Sequence, residues 1–120
     1  MDLKGFAKQI GNFIGNLQST HYQFNEAVGE RFIEVAKPRT PVDTGLSRES
    51  WRSEATNKQV TIRNIARRDG IYYASFWNYD TTGYPGYHTL EISRNIVLQE
   101  MPGIYANTMR QAWAKSKGDN

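Results

Sequence analysis

From residue 3 onward, apolar side chains return every three or four positions: Phe6, Ile10, Phe13, Leu17, Phe24, Val28, Phe32 and Val35, with His21 filling one place in the series. That period predicts a helix with a single apolar stripe. Asp2 ahead of it suits the positive end of the helix dipole. The pattern stops at Lys37, because the residue before Pro38 disfavours helical ψ. One unbroken helix over residues 3–36 would be roughly 50 Å long, against a radius of gyration of about 14 Å for a compact chain of this size. Such a helix outreaches its own domain, and its far end is expected to fray or to need another subunit. Gly11, Gly15 and Gly29 each weaken the helix by roughly 1 kcal/mol against Ala. They mark close helix contacts or a break near Gly15.

Next comes a dense turn, Thr40-Pro41-Val42-Asp43-Thr44-Gly45, in which Pro41 fixes φ, Asp43 can bond a following amide and Gly45 permits positive φ. Alternation is weak from Leu46 and clear over residues 59–65, which predicts a hairpin of strands 46–55 and 58–65 turning near Thr56-Asn57. Arg67-Arg68-Asp69-Gly70 reads as a loop, residues 71–78 as a short helix or an edge strand, and residues 80–87 as a loop. Val97, Met101, Ile104, Tyr105, Met109 and Ala112 return to helical spacing, with Trp113 adjoining. Pro102 either starts a new helix there or kinks one. Leu90, Ile92, Ile96 and Leu98 also fit period two, leaving a strand before Pro102 open. Lys115 and Lys117 suit the negative end of a helix dipole. The expectation is a single α+β domain over residues 1–120. It comprises an N-terminal helix (1–37), a corner loop (38–45), a small antiparallel sheet region (46–80), a loop (81–88) and a C-terminal helical region (89–117) kinked or started at Pro102.

Composition narrows the class. Hydrophobic residues make up 38% of the chain and mean hydropathy is −0.69, so the interior is thin, while 12% aromatics argue against disorder. The net charge of +3 is mildly basic, short of a nucleic-acid arm or a polybasic membrane anchor. The absence of Cys excludes disulfide frameworks, thiolate zinc fingers and thiol catalysis. Lys4 and Lys8 begin the chain, but Gly11, Asn12, Gly15 and Asn16 interrupt any apolar run, so neither a signal peptide nor a membrane span is expected. The chain is expected to be made and kept in a cytosol-like compartment unless lysis releases it.

Candidate chemistry is sparse. Asp43-Thr44-Gly45 matches the aspartic-protease triplet, in which two such loops share a proton and activate water. That loop should follow a buried apolar strand, and the apolar-apolar-Gly strand should come later. Here the loop follows a long amphipathic helix, and Phe13-Ile14-Gly15 precedes it, so a plain turn is expected. His21 and His88 lie far apart in sequence, and His21 falls on the apolar stripe, where a packed histidine is expected. Glu26, Glu30 and Glu34 form a solvated helix stripe. No catalytic site, cofactor or metal is expected. Lys58, Arg63, Arg67 and Arg68, near Tyr72, Tyr73 and Trp77, suggest a DNA-facing surface. Glu49, Glu54 and Asp69 are interleaved with them, which fits a solvated sheet face.

The stretch Thr40-Pro41-Val42-Asp43-Thr44-Gly45-Leu46-Ser47-Arg48-Glu49-Ser50-Trp51 resembles the signature of a phage morphogenesis family. These are the small neck and minor tail-component proteins of tailed double-stranded DNA phages (head–tail joining, tail completion). Members look like a long N-terminal helix, then Thr-Pro-Val-Asp-Thr-Gly leading into Arg-x-Ser/Asn-Trp, a strand ending in Asn, Tyr-Ala, an acidic-Gly turn and a C-terminal helix. Asn64, Tyr73-Ala74 and Asn78-Tyr79-Asp80 stand at the matching places, the last replacing the usual Glu-x-Gly. The resemblance implies a structural, non-enzymatic virion protein of the neck or tail, assembled in the host cytoplasm without membrane involvement. Its implied partners are further copies of itself in a ring, commonly sixfold, a head-connector or head-closure protein, tail terminator or tail tube proteins, and the genome DNA passing through the lumen. Under this reading Pro41, Asp43, Thr44 and Gly45 fix a rigid corner between helix and sheet. Arg48 and Trp51 then anchor either that corner or a subunit contact. The competing class is a small basic DNA-binding module without catalytic activity.

Overall fold

The computed structural model describes residues 3–41, 46–72, 74–80 and 85–118. Its architecture is mixed α+β, with long helices from both ends of the chain around a small antiparallel β region. The N-terminal helical segment is two helices: α1 (Leu3–Gly15) and α2 (Leu17–Ala36). Asn16 makes the break. Its backbone leaves the helical region (φ −106°, ψ 11°), and its side-chain amide donates to the Asn12 carbonyl at 2.8 Å. Its own carbonyl accepts the Thr20 N–H (2.9 Å) and hydroxyl (3.0 Å). The side chain thus occupies a carbonyl at the end of one helix while the main chain starts the next.

The break lets α1 cross the last turns of α4 (Thr89–Gly118), where Trp113 is held edge-on by Phe6 and Phe13 at 6.3 and 5.6 Å between ring centroids. Gln9 and Asn12 donate their amides to the carbonyls of Trp113 and Ser116. The far end of this segment has a seat within the chain, because α1 rests on the chain's own C-terminal helix. The seam is thin, since Gln9 is the buried residue of α1 and Leu3 and Ile14 stay exposed. His21, expected to pack in the stripe, faces solvent.

Beyond Asn16, α2 and α4 run antiparallel. Phe24 meets Tyr105 edge-on at 5.3 Å, and Arg31 grips Glu100 through Nε–Oε1 (2.7 Å) and Nη2–Oε2 (3.1 Å). Val28, Phe32, Val35 and Ala36 of α2 and Val97 of α4 form the core with Trp51. The third wall is a hairpin, β1 (Trp51–Ala55) against β2 (Val60–Asn64), antiparallel in the register Trp51↔Asn64 to Ala55↔Val60. The first predicted strand is too long: residues 46–50 form a turn and a 3-10 turn instead, with the Ser50 hydroxyl donating to the Leu46 carbonyl. The hairpin sits flush on α2 because Gly29 has no side chain. A Cβ there would lie 2.8 Å from Cβ of Ser53 and 3.1 Å from Val60.

Residues 67–70, expected to be a loop, take part in a second small hairpin, β3 (Arg67–Arg68) against β4 (Ile71–Tyr72). Asp69 and Gly70 turn it with φ of 53° and 80°, the left-handed pair that a two-residue hairpin loop requires. The segment predicted as either helix or strand over residues 71–78 is divided between β4 and a short helix, α3 (Ala74–Asn78). The C-terminal helix α4 begins at Thr89, not at Pro102, and runs through that proline, which removes the strand alternative for residues 90–98. Pro102 has no N–H for the Leu98 carbonyl. Both residues lie on the exposed side, where solvent can satisfy it.

The result is long and thin, 67 × 27 × 20 Å, with a radius of gyration of 19.3 Å. One end carries α1 on the tail of α4, and the core with its β region lies away from it.

Candidate functional site

Thr40, Arg48 and Trp51 of the signature stretch meet in one polar knot at the helix–sheet corner. After α2 a 3-10 turn over Lys37–Arg39 absorbs Pro38, and the chain reaches Thr40, 2% exposed. The Thr40 hydroxyl donates to the Ala36 carbonyl (2.7 Å) and accepts the indole N–H of Trp51 (2.8 Å). Arg48 Nη2 donates to the Thr40 carbonyl at 3.3 Å. Trp51 is itself 5% exposed, edge-on to Phe32 at 5.8 Å and to Trp77 at 6.4 Å. Two further residues tie in neighbouring segments. The Thr89 hydroxyl at the start of α4 donates to the Arg39 carbonyl (2.7 Å), and the Asn64 amide donates to the Ser47 carbonyl (2.7 Å). Pro41 stands half-buried beside this knot, while Asp43, Thr44 and Gly45 lie outside the described residues. Of the sequence-predicted corner, Arg48 and Trp51 converge on Thr40, within one chain.

The basic residues divide between two surfaces. Lys58 stands in the turn of the first hairpin and Arg63 on its outward face, whereas Arg67 and Arg68 belong to the second hairpin. Arg63 pairs with Glu54 (3.0 Å). Arg67 lies 4.5 Å over the ring of Tyr72. Trp77, expected among the stacking aromatics, is turned toward Trp51, and Tyr73 lies outside the described residues. Arg52 belongs to this face and was not anticipated. It is the direct cross-strand partner of Arg63, and its guanidinium donates to the carbonyls of Glu49 and Trp51. Two like charges placed opposite each other repel, and Glu54 on the same face offsets part of that repulsion through Arg63.

At the start of α4, Asn78 acts as a remote cap. Its side-chain oxygen accepts the Leu90 N–H (2.8 Å) and its amide bonds both oxygens of Glu91. Beside it Asp80 accepts the Gly86 N–H (2.7 Å) and lies 2.8 Å from Nε2 of His88, whose Nδ1 is 3.4 Å from Glu91. The Gly86 N–H and His88 hold the Asp80 carboxyl below its usual range, and Asp80 raises His88 above the ordinary 6.5. A Cβ at Gly86 would come within 2.5 Å of the Asn78 and Tyr79 carbonyls, so only glycine fits this fold-back. The cluster is open to solvent and has the geometry of a latch on the helix start. Among the described residues no group of three or more His, Asp or Glu is placed to hold a metal ion, and no helix is long and apolar enough to cross a membrane.

An apolar groove of about 270 Å³ opens between β2 and α4. Ile62 forms one side, Val28 and Phe32 the floor, and Leu90, Val97 and Leu98 the other side, with Arg94 at the rim.

No family model, curated protein or solved structure matches the chain.

Sequence reasoning missed Thr40 as the hub, Asn78 as the cap, Gly86 as a contact glycine, and the groove; of Gly11, Gly15 and Gly29, named as marks of close helix contacts or a break, Gly29 makes such a contact. Thr40 was visible as the first residue of the hexapeptide. The Gly86 contact had no sequence signal, because it depends on what tertiary folding brings opposite it.

Proposed function

We propose that this chain is a structural virion subunit of a tailed double-stranded DNA phage. It is a neck or tail-completion component whose copies, six in the commonest arrangement, form a ring joining the capsid connector to the tail around the DNA channel. On this reading it acts without catalysis or cofactor. It meets a head-connector or head-closure protein on one side and tail terminator or tail tube proteins on the other. It would be assembled in the host cytoplasm and retained in the virion.

The observation that carries the reading is the corner. Three residues of the phage-like stretch act together, Thr40 receiving the Trp51 indole and the Arg48 guanidinium. Thr40, Arg48 and Trp51 thus have a joint physical role at the spacing they hold in this chain. The elongated body adds support, since subunits of this shape expose much lateral surface, and heterologous lateral contacts close into rings. A second reading, a basic DNA-binding module, draws on the cross-strand Arg52–Arg63 pair, of which Arg63 is also bonded to Glu54.

The deciding experiment is to produce particles without this chain and image them. Filled heads separated from tails are expected. Complete, infectious particles made in its absence would overturn the reading. For the DNA-binding alternative, retention on DNA that falls steeply with salt, and that flattens in Arg52→Ala/Arg63→Ala, is the corresponding signature.

A further inference from the structure

The first hairpin leaves one edge open beside the apolar groove. The Ile65 N–H donates to the Ser50 carbonyl (2.9 Å) and the Thr56 N–H to the Gln59 carbonyl (2.8 Å). Alternation along an antiparallel ladder therefore makes Arg52↔Arg63 and Glu54↔Thr61 the hydrogen-bonded pairs. Val60 and Ile62 fall at the intervening places, so their backbone N–H and C=O groups point away from β1. Among the described residues none of these groups takes a hydrogen bond within the chain. On β1 the matching edge is guarded, since the Arg52 guanidinium covers the Trp51 carbonyl at 2.8 Å. An open strand edge with an apolar trough alongside is what strand addition uses: backbone bonds hold the incoming segment, and alternate side chains fill the trough. Arg94 at the rim has no ion-pair partner among the described residues, so a carboxylate on the incoming segment is favoured.

The chain itself displays a segment of that chemistry. All six residues of the second hairpin, Arg67 to Tyr72, are exposed, and a ribbon this short has little stability of its own. Ile71 is 59% exposed. Tyr72 has one ring face covered by Arg67, which leaves Ile71 as the free apolar knob. Asp69, two residues earlier at the tip, has no ion pair among the described residues. The root of the hairpin is fixed at Ala66, 1% exposed, whose N–H donates to the Asn64 side chain at 3.1 Å, and no residue of the hairpin lines the chain's own groove.

We propose that the β3–β4 hairpin of one copy adds to the open β2 edge of a second copy, seating Ile71 in the groove and Asp69 against Arg94. The two surfaces differ, so the contact is heterologous and each copy keeps one of each free for the next. Taking a second copy as the occupant rests on the ring reading above; the edge, the groove and the hairpin do not.

The test is the mass of the full chain in solution across a concentration range, by sedimentation or native mass spectrometry. Ile71→Asp and Leu98→Asp change exposed side chains, and unaltered helical content checks that each still folds. Each is expected to weaken self-association by about tenfold or more. Mixing the two is expected to give dimers and nothing larger, because the hairpin of Leu98→Asp meets the groove of Ile71→Asp while the reciprocal contact is spoiled. Asp69→Arg should weaken association and Arg94→Asp in the same chain should restore it. Larger assemblies untouched by all these changes would overturn the interface and leave the ring reading standing. A wild-type chain that stays monomeric at every concentration assigns the groove to a different partner and overturns the proposal. The particle experiment then judges the neck reading separately.

Discussion

Thr40 shows how a single hydroxyl governs the corner. It both donates and accepts in a site closed to water, so removing it leaves the Trp51 indole N–H buried without a partner. Thr40→Val is expected to cost about 1–3 kcal/mol, read as a lower denaturant midpoint with unchanged slope. Trp51→Ala, which also removes two edge-on ring contacts, should cost about 3–5 kcal/mol. The melting point of Trp51→Ala therefore reports on the monomer before any assembly is considered. His88 gives the pH-dependent counterpart. Its pKa is raised by Asp80, so its stabilising contribution is full below the ordinary 6.5 and is lost as pH rises through the raised value. Asp80 is lowered, so its contribution is present above the ordinary 3.8 and is lost as pH falls through the lowered value. The latch on α4 is thus strongest between the two. His88→Gln should remove the alkaline limb of the stability–pH curve, and a two-dimensional NMR titration of the wild-type imidazole should place its midpoint above 6.5.

At the level of elements, glycines with the same label do opposite things. A Cβ at Gly29 strikes the hairpin, whereas one at Gly103 in α4 meets nothing within 4 Å. Gly103→Ala should stabilise by up to about 1 kcal/mol through helix propensity. Gly29→Ala should instead destabilise, since overpacking of about 1–3 kcal/mol outweighs that gain. Thermal melts of the two variants side by side check the sign. The contrast also explains what was legible in the sequence. Periodicity located α2, the second half of α4 and β2 because each has one face buried against a partner, and such a face writes its period into the chain. It did not choose between helix and strand for residues 90–98, where apolar residues satisfy both periods. Asp69-Gly70 was read as loop although it is the turn of a hairpin, because strands of two residues carry no alternation to detect. The corner was legible as a turn, but its hub was not, since the link from Thr40 to Trp51 spans eleven residues and needs the fold to exist.

At the scale of the whole molecule, the core is confined to where α2, α4 and the first hairpin meet, while the other end is joined by Trp113 between two phenylalanines. Local opening free energies follow the apolar surface each region buries. Backbone amides of α1 should therefore exchange with deuterium far faster than those around Val28 and Val97. Trp113→Ala should speed exchange in α1 while leaving the protection around Val97 in place. Heating should then release the molecule in two stages, the first helix coming free before the remainder melts. A single calorimetric peak would describe only the second of these events.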